Sequence, residues 1–311
     1  MSMMMRRQLS DLAATGEAVA ALWAAQAPLY QRFGYGLAAW QQGIEVDLAR
    51  AQALADSSSA RLAQLAVPEA LPHLMAGHDA GLGSRPGMLA RSHDRWTRLL
   101  GGTDGPAPEV VVALGPDGPS GYALYRIREG APALVPTGVV AVLEVSATDP
   151  ATHAQLWRHL LDLDLMSTLS CGARPLPDPL AHLLADHRRM HARVDEGLWV
   201  LIVDLPRALD ERAFSGPLDL VLEVTDGVLP AGAGRWQVTV GAAGDSARAR
   251  RTAARPDLSL DISDLGAAHL GATQLCDLAL AGRVLEHTPG ALAAASTAWS
   301  WSPSAACPDV F

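Results

Sequence analysis

The chain has 311 residues, which is enough for about two domains of ordinary size, and hydrophobic residues make up 49% of it. A chain this apolar can bury packed cores, so global disorder is excluded. Its 24 basic and 33 acidic residues give a formal net charge of −9, which argues against nucleic-acid binding and favours a cationic partner.

The apolar runs and the cysteines indicate the compartment. The N-terminal segment carries two arginines but has no apolar core of a secretory signal, and the longest apolar run, 198–203, is far too short to span a membrane. Cys171, Cys276 and Cys307 are widely spaced, which argues against a disulfide framework and against structural zinc. We therefore expect a cytoplasmic protein with no membrane span and no metal.

The first forty residues predict a helix, a strand and an aromatic turn. Apolar residues at helical spacing predict a helix over 3–14 that ends at Gly16, and a strand over 18–24 follows. One helical turn with Tyr30 and Phe33 then leads into a further strand. Because no N-cap residue precedes the helix, we expect the sequence to begin inside a helix and to lack the segment before it.

The middle of the chain predicts an α/β arrangement of its own. Strands over 110–114 and 122–126, joined by a turn rich in Gly and Pro, are typical of a hairpin. A third strand over 139–145 precedes a helix that begins at Asp149 and Pro150, a cap residue followed by a good first helical residue.

The last third predicts an α+β domain. Strands are expected over 198–203, 219–224, 235–240 and 258–262, and helices over 263–270, 272–281 and 288–298. Strands that come first and helices that follow are typical of a helix layer on one face of a sheet. The aromatic end at Phe311 predicts a tail that is held against the fold.

Two motifs have the residue spacing of known ligand-binding sites but lack the sequence context that such sites require. Residues 34–39 match the pattern GxGxxA, but a helical turn precedes them where a dinucleotide-binding fold needs a strand. His187 and His191 have the spacing of a zinc-binding helix, but Arg188 stands where such a helix carries glutamate. Neither motif is expected to bind a ligand.

Several segments, taken in order, resemble one family, the Eis (enhanced intracellular survival) N-acetyltransferases of the GNAT class. The segments that carry the resemblance are Leu29 to Gly36, Arg85-Pro86-Gly87 with Trp96, Gly121 to Arg126, Leu156-Trp157-Arg158, Asp178-Pro179-Leu180 with Leu183-Leu184, Asp195 to Trp199, Leu222-Glu223-Val224, Leu270-Gly271 and Phe311. The resemblance covers essentially the whole chain, and it depends on the order and spacing of the segments rather than on one motif.

The resemblance implies both a fold and an activity. It implies an α+β protein with the C-terminal half of a catalytic GNAT domain over 1–46, a second GNAT-like domain over 47–194 and a sterol-carrier-protein-like domain over 195–311. It also implies transfer of an acetyl group from acetyl-CoA to amines of small cationic substrates such as aminoglycosides, or of lysine side chains. A homo-oligomer, a hexamer in that family, is expected by the same resemblance.

The same resemblance gives functional roles to four residues. Tyr30 corresponds to the proton donor, and the terminal carboxylate of Phe311 corresponds to the proton acceptor. Ala25 and Gln26 fall on cofactor-contacting positions where the family tends to have serine and glutamate, so backbone contacts are compatible with this sequence and side-chain contacts are not. Independently of the resemblance, Trp96, Trp157, Trp199 and Trp236 are expected to be mostly core residues, and Trp96 is in addition the candidate for the border of the substrate pocket. The alternative for Tyr30, Trp96 and Phe311 is a purely structural role.

One departure from the family concerns the first half of the catalytic domain. In the family this half carries a basic, glycine-containing loop that binds the pyrophosphate of acetyl-CoA, and the sequence begins after the position of that loop. Activity is therefore expected to be impaired if the half-domain is absent. The alternative is a non-catalytic protein that binds a ligand with the sterol-carrier-like and second GNAT-like domains.

Overall fold

The computed structural model describes residues 2–53, 60–101, 105–116, 118–131 and 136–311. The described α-helices are α1 (Ser2–Thr15), α2 (Ala27–Gln31), α3 (Val67–Gly81), α4 (His93–Leu100), α5 (Pro150–Leu161), α6 (Leu180–Leu183), α7 (Leu205–Asp210), α8 (Ile262–Ala268), α9 (Leu275–Leu280) and α10 (Ala291–Trp299). Within these described ranges, no helix has the length and apolar character that a bilayer crossing requires.

The described strands are β1 (Val19–Trp23), β2 (Gly36–Leu37), β3 (Trp40–Asp47), β4 (Arg61–Leu65), β5 (Glu109–Gly115), β6 (Gly118–Arg128), β7 (Gly138–Ala147), β8 (Met166–Pro175), β9 (Met190–Glu196), β10 (Leu198–Ile202), β11 (Leu218–Thr225), β12 (Gly234–Val240), β13 (Arg248–Arg251), β14 (Leu258–Asp261) and β15 (Val284–Glu286). The predicted strands and helices of all three regions are present, with ends that shift by a few residues.

The chain divides into two compact units. The terminal unit contains residues 1–40 and 196–311, and the central unit contains residues 41–195. The predicted segments 1–46, 47–194 and 195–311 divide the chain differently, because the first and last of them share the terminal unit. As boundaries of functional domains they stay a prediction.

A three-stranded antiparallel sheet in the terminal unit joins the two ends of the chain. Its order is β1-β10-β2, so the strand after residue 197 lies between two strands from the first forty residues. Alternate residues of β10 enter two cores: Trp199 and Leu201 pack with Leu9 of α1, and Val200 packs with Leu265 of α8. A strand that is covered on both faces needs apolar residues at every position. This explains the continuous apolar sequence of β10, all five residues of which are buried.

Two glycines let α8 approach this sheet closely. A Cβ atom on Gly36 would collide with the carbonyl of Ser263 and the backbone nitrogen of Ala267, and a Cβ on Gly266 would collide with the carbonyl of Val200. The first forty residues and the last third of the chain are therefore packed backbone against backbone.

We expect Gly36→Ala to lower the free energy of unfolding by about 1–3 kcal/mol, because the added methyl forces α8 away from β2. Gly227→Ala is the matched control in the same unit, since nothing in the described structure lies within 4 Å of a Cβ built there. Urea denaturation of both variants measures the difference. Equal midpoints for the two variants would contradict the close approach of α8.

The second sheet of the terminal unit has the order β13-β12-β11-β14-β15. β11 pairs with β14 in parallel, and the other neighbours pair antiparallel. Its apolar face packs against residues of α8, α9 and α10, among them Leu265, Leu278 and Trp299. A helix layer on one face of a sheet, as predicted from the order of elements, is confirmed.

Arg212 fixes the ends of two of these helices. Its guanidinium donates to the carbonyl of Trp299 at 2.9 Å and to that of Ala268 at 3.4 Å, the last residues of α10 and α8. Burial lowers the pKa of Arg212 to about 9, so the group stays charged at neutral pH. A positive charge at two helix C-termini is favourable because it opposes their dipoles. The C-terminal tail therefore starts at a fixed point.

The central unit is built around a seven-stranded sheet with the order β4-β5-β6-β7-β8-β3-β9. The predicted hairpin is β5–β6, and the parallel strands β7 and β8 are joined by the crossover helix α5. Asp149 caps α5 by accepting from the amide of Thr152 at 2.8 Å, which confirms the predicted start. Leu156 and Trp157 of α5 cover one core, and Leu74 and Trp96 from α3 and α4 belong to a second one.

Candidate active site

Tyr30 lies on α2, the single short helix that follows β1. Pro28 stands in its first turn, where its fixed backbone angle is already helical and its missing N–H costs nothing. Gly34, with φ of +84°, ends the turn in the left-handed region that glycine favours. The amide of Phe33 donates to the carbonyl of Tyr30 at 2.9 Å and closes the turn. The position of Tyr30 on this helical turn is therefore determined by the residues next to it in the sequence.

The ring of Tyr30 packs edge-on against Tyr35, with ring centroids 6.0 Å apart and planes at 79°. Tyr35 is buried, whereas Tyr30 is half-buried at the border of the same apolar cluster. Burial, and secondarily the neighbouring Tyr30, raise the pKa of Tyr35. The Tyr35 phenol therefore stays neutral at physiological pH and supports the Tyr30 ring by packing.

The C-terminal tail is held against the terminal unit, as predicted. Ala305, Cys307 and Asp309 are buried, while the last residue, Phe311, is 60% exposed. The indole Nε1 of Trp23 donates to the carbonyl oxygen of Asp309 at 2.7 Å. The thiol of Cys307 lies 3.4 Å from the same oxygen.

These contacts bring the segments of Tyr30 and Phe311 to the same end of β1. Trp23 is the last residue of β1, Tyr30 follows seven residues later, and Asp309 precedes Phe311 by two residues. The chemical roles of Tyr30 and Phe311 stay predictions.

Ala25 and Gln26 occupy the short connection between β1 and α2. Both are exposed, and the Gln26 side chain makes no capping hydrogen bond although it stands at the N-cap position. Their position next to Tyr30 is compatible with backbone contacts to an acyl donor, and this cofactor role also stays a prediction.

Sequence reasoning missed Trp23. A tryptophan at the end of a strand was assigned only to the strand pattern, although a partly buried indole N–H usually needs a hydrogen-bond acceptor. The need of the Trp23 indole N–H for an acceptor is the signal that could have pointed to a tertiary contact. The acceptor, the backbone of Asp309, lies 286 residues away and has no sequence signature.

Trp96 belongs to the central unit, whereas Trp23, Tyr30 and Phe311 belong to the terminal unit. Its side chain is fully buried, its ring meets that of His78 edge-on at 5.6 Å, and the Arg91 guanidinium lies 4.7 Å from its centroid. These contacts account for Trp96 as a core residue. Its assignment to a substrate pocket stays a prediction without support from its surroundings.

Glu144 is the centre of the buried polar network next to Trp96. Its carboxylate accepts from the Tyr122 hydroxyl at 2.6 Å, pairs with Arg91 at 2.8 Å and lies 3.6 Å from Nδ1 of His78. Burial alone would raise the pKa of Glu144, but His78, Arg91 and Tyr122 together lower it. Burial alone would lower the pKa of His78, but Glu144 and the carbonyl of Leu89 raise it overall.

The raised pKa of His78 predicts a pH-dependent stability of the central unit. Its stabilisation is fully present below the unfolded pKa of 6.5 and is lost as the pH rises through the higher folded value. The Glu144 contribution has the opposite sense, since its pKa is lowered: it is present above 4.5 and is lost as the pH falls through the folded value. We expect the urea midpoint to fall above pH 6.5.

In His78→Gln this alkaline loss should be weaker. His93→Gln, which removes an exposed histidine from α4, is the control and should keep the wild-type pH dependence. Parallel pH curves for wild type and His78→Gln would contradict the role of His78.

No group of three or more His, Cys, Asp or Glu side chains is arranged to hold a metal ion in the ranges that the structure describes.

Domain profiles match three stretches of the chain. An acetyltransferase (GNAT) domain matches residues 1–38, a second acetyltransferase (GNAT) domain matches residues 87–202, and a sterol carrier protein domain matches residues 205–308. The second match ends in β10, the strand that enters the sheet of the terminal unit.

Curated relatives align with most of the chain. An uncharacterized N-acetyltransferase of Streptomyces avermitilis is 38% identical over 305 residues, which cover 96% of this chain and 74% of that protein. The N-acetyltransferase Eis of Mycobacterium tuberculosis is 34% identical over 293 residues, which cover 90% of this chain and 68% of Eis. The chain belongs to the Eis family of GNAT N-acetyltransferases.

A solved structure agrees with this assignment. The crystal structure of Eis1 from Mycobacterium abscessus has a TM-score of 0.86 and 31% sequence identity, and the match covers 100% of this chain and 77% of Eis1. The family resemblance and the Eis-like fold predicted from sequence are confirmed. As an Eis-family protein the chain is an N-acetyltransferase, and enzymes of the GNAT class use acetyl-CoA as the acetyl donor.

Proposed function

We propose that this Eis-family chain acetylates primary amines of cationic substrates at the end of β1, with Tyr30 as proton donor and the Phe311 carboxylate as proton acceptor. The observation that supports it is the hydrogen bond from Trp23 to Asp309, which ties the last residues of the chain to the strand that precedes Tyr30. The substrates are polycationic small molecules of the aminoglycoside kind, or lysine side chains, which carry the same ammonium group.

The reaction joins the amine nitrogen to the acetyl carbon and breaks the bond from that carbon to sulfur. The sulfur departs as a thiolate, whose conjugate acid, judged by cysteine, has a pKa of about 8.5. A tyrosine phenol, with an ordinary pKa of about 10, donates to it during departure and so neutralises the charge that develops on the sulfur. Tyr30, at the border of its apolar cluster, is the residue in that role.

The amine must lose a proton to become a nucleophile and a second one as the amide forms. An α-carboxylate has a pKa of about 3.5, so at neutral pH it is ionised and holds an ammonium group by charge. The first proton goes from the ammonium to the Phe311 carboxylate and from there to water. Tyr30 gives its proton to the sulfur, and the second proton, released as the amide forms, returns to the Tyr30 phenolate. The products are the amide, the thiol and one proton in water, so charge and atoms balance.

The acyl donor is held by the connection between β1 and α2 in this proposal. Ala25 and Gln26 are exposed there and precede Tyr30 by five and four residues. Alanine offers no polar side chain at the first position, so its part is limited to backbone groups. Bound there, the thioester of acetyl-CoA supplies the activated acetyl group.

Charge supports a cationic substrate. The chain carries a net charge of −9, and a field of that sign raises the encounter rate with polycations. We expect amine-dependent release of CoA thiol to be faster with a polycation than with a monoamine of the same nucleophilicity.

The dependence on salt tests this choice. The value of kcat/KM for the polycation should fall several-fold when the screening length shrinks from about 30 Å to about 10 Å, between about 0.01 M and about 0.1 M salt. The value for the monoamine should change little. Thiol release that does not depend on any amine would refute the proposed activity, and equal salt curves would refute the substrate class.

We also propose that the chain forms a homo-oligomer. Light scattering of the purified protein measures its mass and tests this proposal.

A further inference from the structure

We infer that Trp23 is a positioning residue, whose indole N–H holds the C-terminal tail so that the last carboxylate stays beside the Tyr30 turn. The effect on catalysis depends on the proposed function of Phe311, whereas the anchoring of the tail does not. The contact that carries the inference is the 2.7 Å hydrogen bond between Trp23 Nε1 and the carbonyl of Asp309.

The donor is itself rigidly placed. Trp23 ends β1 and pairs with Leu198 of the central strand β10, and its side chain packs against the main core of the terminal unit. The indole is half-buried and has one N–H group, so its direction is set by the strand and by packing.

The tail needs such an anchor because residues 300–311 form neither helix nor strand. Its path is therefore set by side-chain contacts and packing. Arg212 fixes the start at Trp299, Ala305 and Cys307 are buried along the way, and the Asp309 carbonyl accepts from Trp23 near the end. Only two residues follow it, so the terminal carboxylate lies within about 7 Å of this anchor along the chain.

The indole N–H of Trp23 differs from those of other tryptophans in what it contacts. Trp157 and Trp236 donate to residues only four positions away, His153 and Gly232. In the described residues, the buried Nε1 atoms of Trp96, Trp199 and Trp299 meet no hydrogen-bond acceptor. The N–H of Trp23 does meet one, and that acceptor belongs to the tail. Loss of this donor is therefore expected to affect the tail more than the core.

Trp23→Phe tests the inference, because it keeps an aromatic ring in the core and removes the donor; the ring volume lost with it is the same in the control variant. Trp236→Phe is the matched control: Trp236 lies in the same unit and donates to the carbonyl of Gly232 at 2.9 Å, away from the tail. Hydrogen exchange measured by mass spectrometry should be about tenfold faster over residues 305–311 in Trp23→Phe, the size expected for one lost hydrogen bond, and unchanged there in Trp236→Phe.

Kinetics separate positioning from a general loss of stability. In Trp23→Phe, kcat for the amine should fall about tenfold while KM for acetyl-CoA stays within twofold of wild type. Trp23→His, which keeps a ring N–H, should recover part of kcat. With one glycine appended after Phe311, the further effect of Trp23→Phe should largely disappear, because the carboxylate is then already displaced.

Equal tail exchange in Trp23→Phe and wild type would overturn the anchoring. Faster tail exchange with unchanged kcat, in an enzyme whose activity depends on Phe311, would overturn positioning and leave the proposed function standing. If the appended glycine has no effect on wild-type turnover, the acceptor role in the proposed function fails, and the positioning role of Trp23 fails with it. Only the exchange comparison then still reports on the anchor.

Discussion

Tyr30→Phe is expected to lower kcat for acetyl transfer by about 100-fold, the lower end of what one general acid contributes. The lower end applies because a thiolate whose conjugate acid has a pKa of about 8.5 is already a fair leaving group. The variant keeps the ring that packs on Tyr35, so the turn should remain intact. Release of CoA thiol at saturating amine and acetyl-CoA measures the change.

Tyr35→Phe is the control for this experiment. It removes a hydroxyl from the same cluster, five residues further along, and keeps the edge-on contact between the rings. We expect its kcat to stay within about twofold of wild type, because the variant keeps the ring that packs on Tyr30 and leaves the Tyr30 hydroxyl in place. If both variants lose activity equally, packing rather than proton donation explains the requirement for Tyr30.

Appending one glycine after Phe311 is expected to lower kcat/KM for the amine by about 10- to 100-fold. The addition replaces the carboxylate of Phe311 by a neutral amide and moves the nearest carboxylate by about 3.5 Å. Even small displacements of a catalytic group are costly, because proton transfer requires hydrogen-bond contact. KM for acetyl-CoA should change little, since the carboxylate acts on the amine.

Phe311→Ala is the matched control because it keeps the carboxylate in place and removes only the side chain. That side chain is 60% exposed, so little packing is lost with it. A loss in Phe311→Ala as large as that in the extended chain would show that the phenyl ring matters instead. Full activity of the extended chain would remove Phe311 from the mechanism.

Local sequence predicted the Tyr30 turn well, because the determinants are neighbours. Pro28 and Gly34 bound one helical turn, and Gly16 with φ of +81° ends α1 as expected. The hairpin β5–β6 and the cap of α5 at Asp149 were predictable for the same reason. In each case a few adjacent residues determine the backbone.

Sequence also predicted that the tryptophans are mostly core. Trp96, Trp157, Trp199 and Trp236 are all buried. What the pattern did not reveal is which of them have polar neighbours. The network of Glu144, Arg91 and His78 beside Trp96 joins residues that lie up to 66 positions apart, and its charges are paired only when the central unit is folded.

The sequence by itself determined the family, the α+β class and the short segment that carries Tyr30, since these depend on local pattern and on the order of motifs. The tertiary structure decided that β10 lies between β1 and β2 and that α8 packs closely on this sheet at Gly36. It also decided that Trp23 donates a hydrogen bond to the C-terminal tail. The physical reason is that an apolar run predicts burial on both faces without naming its partner strands. Likewise, an indole N–H predicts an acceptor without saying where in the chain it lies.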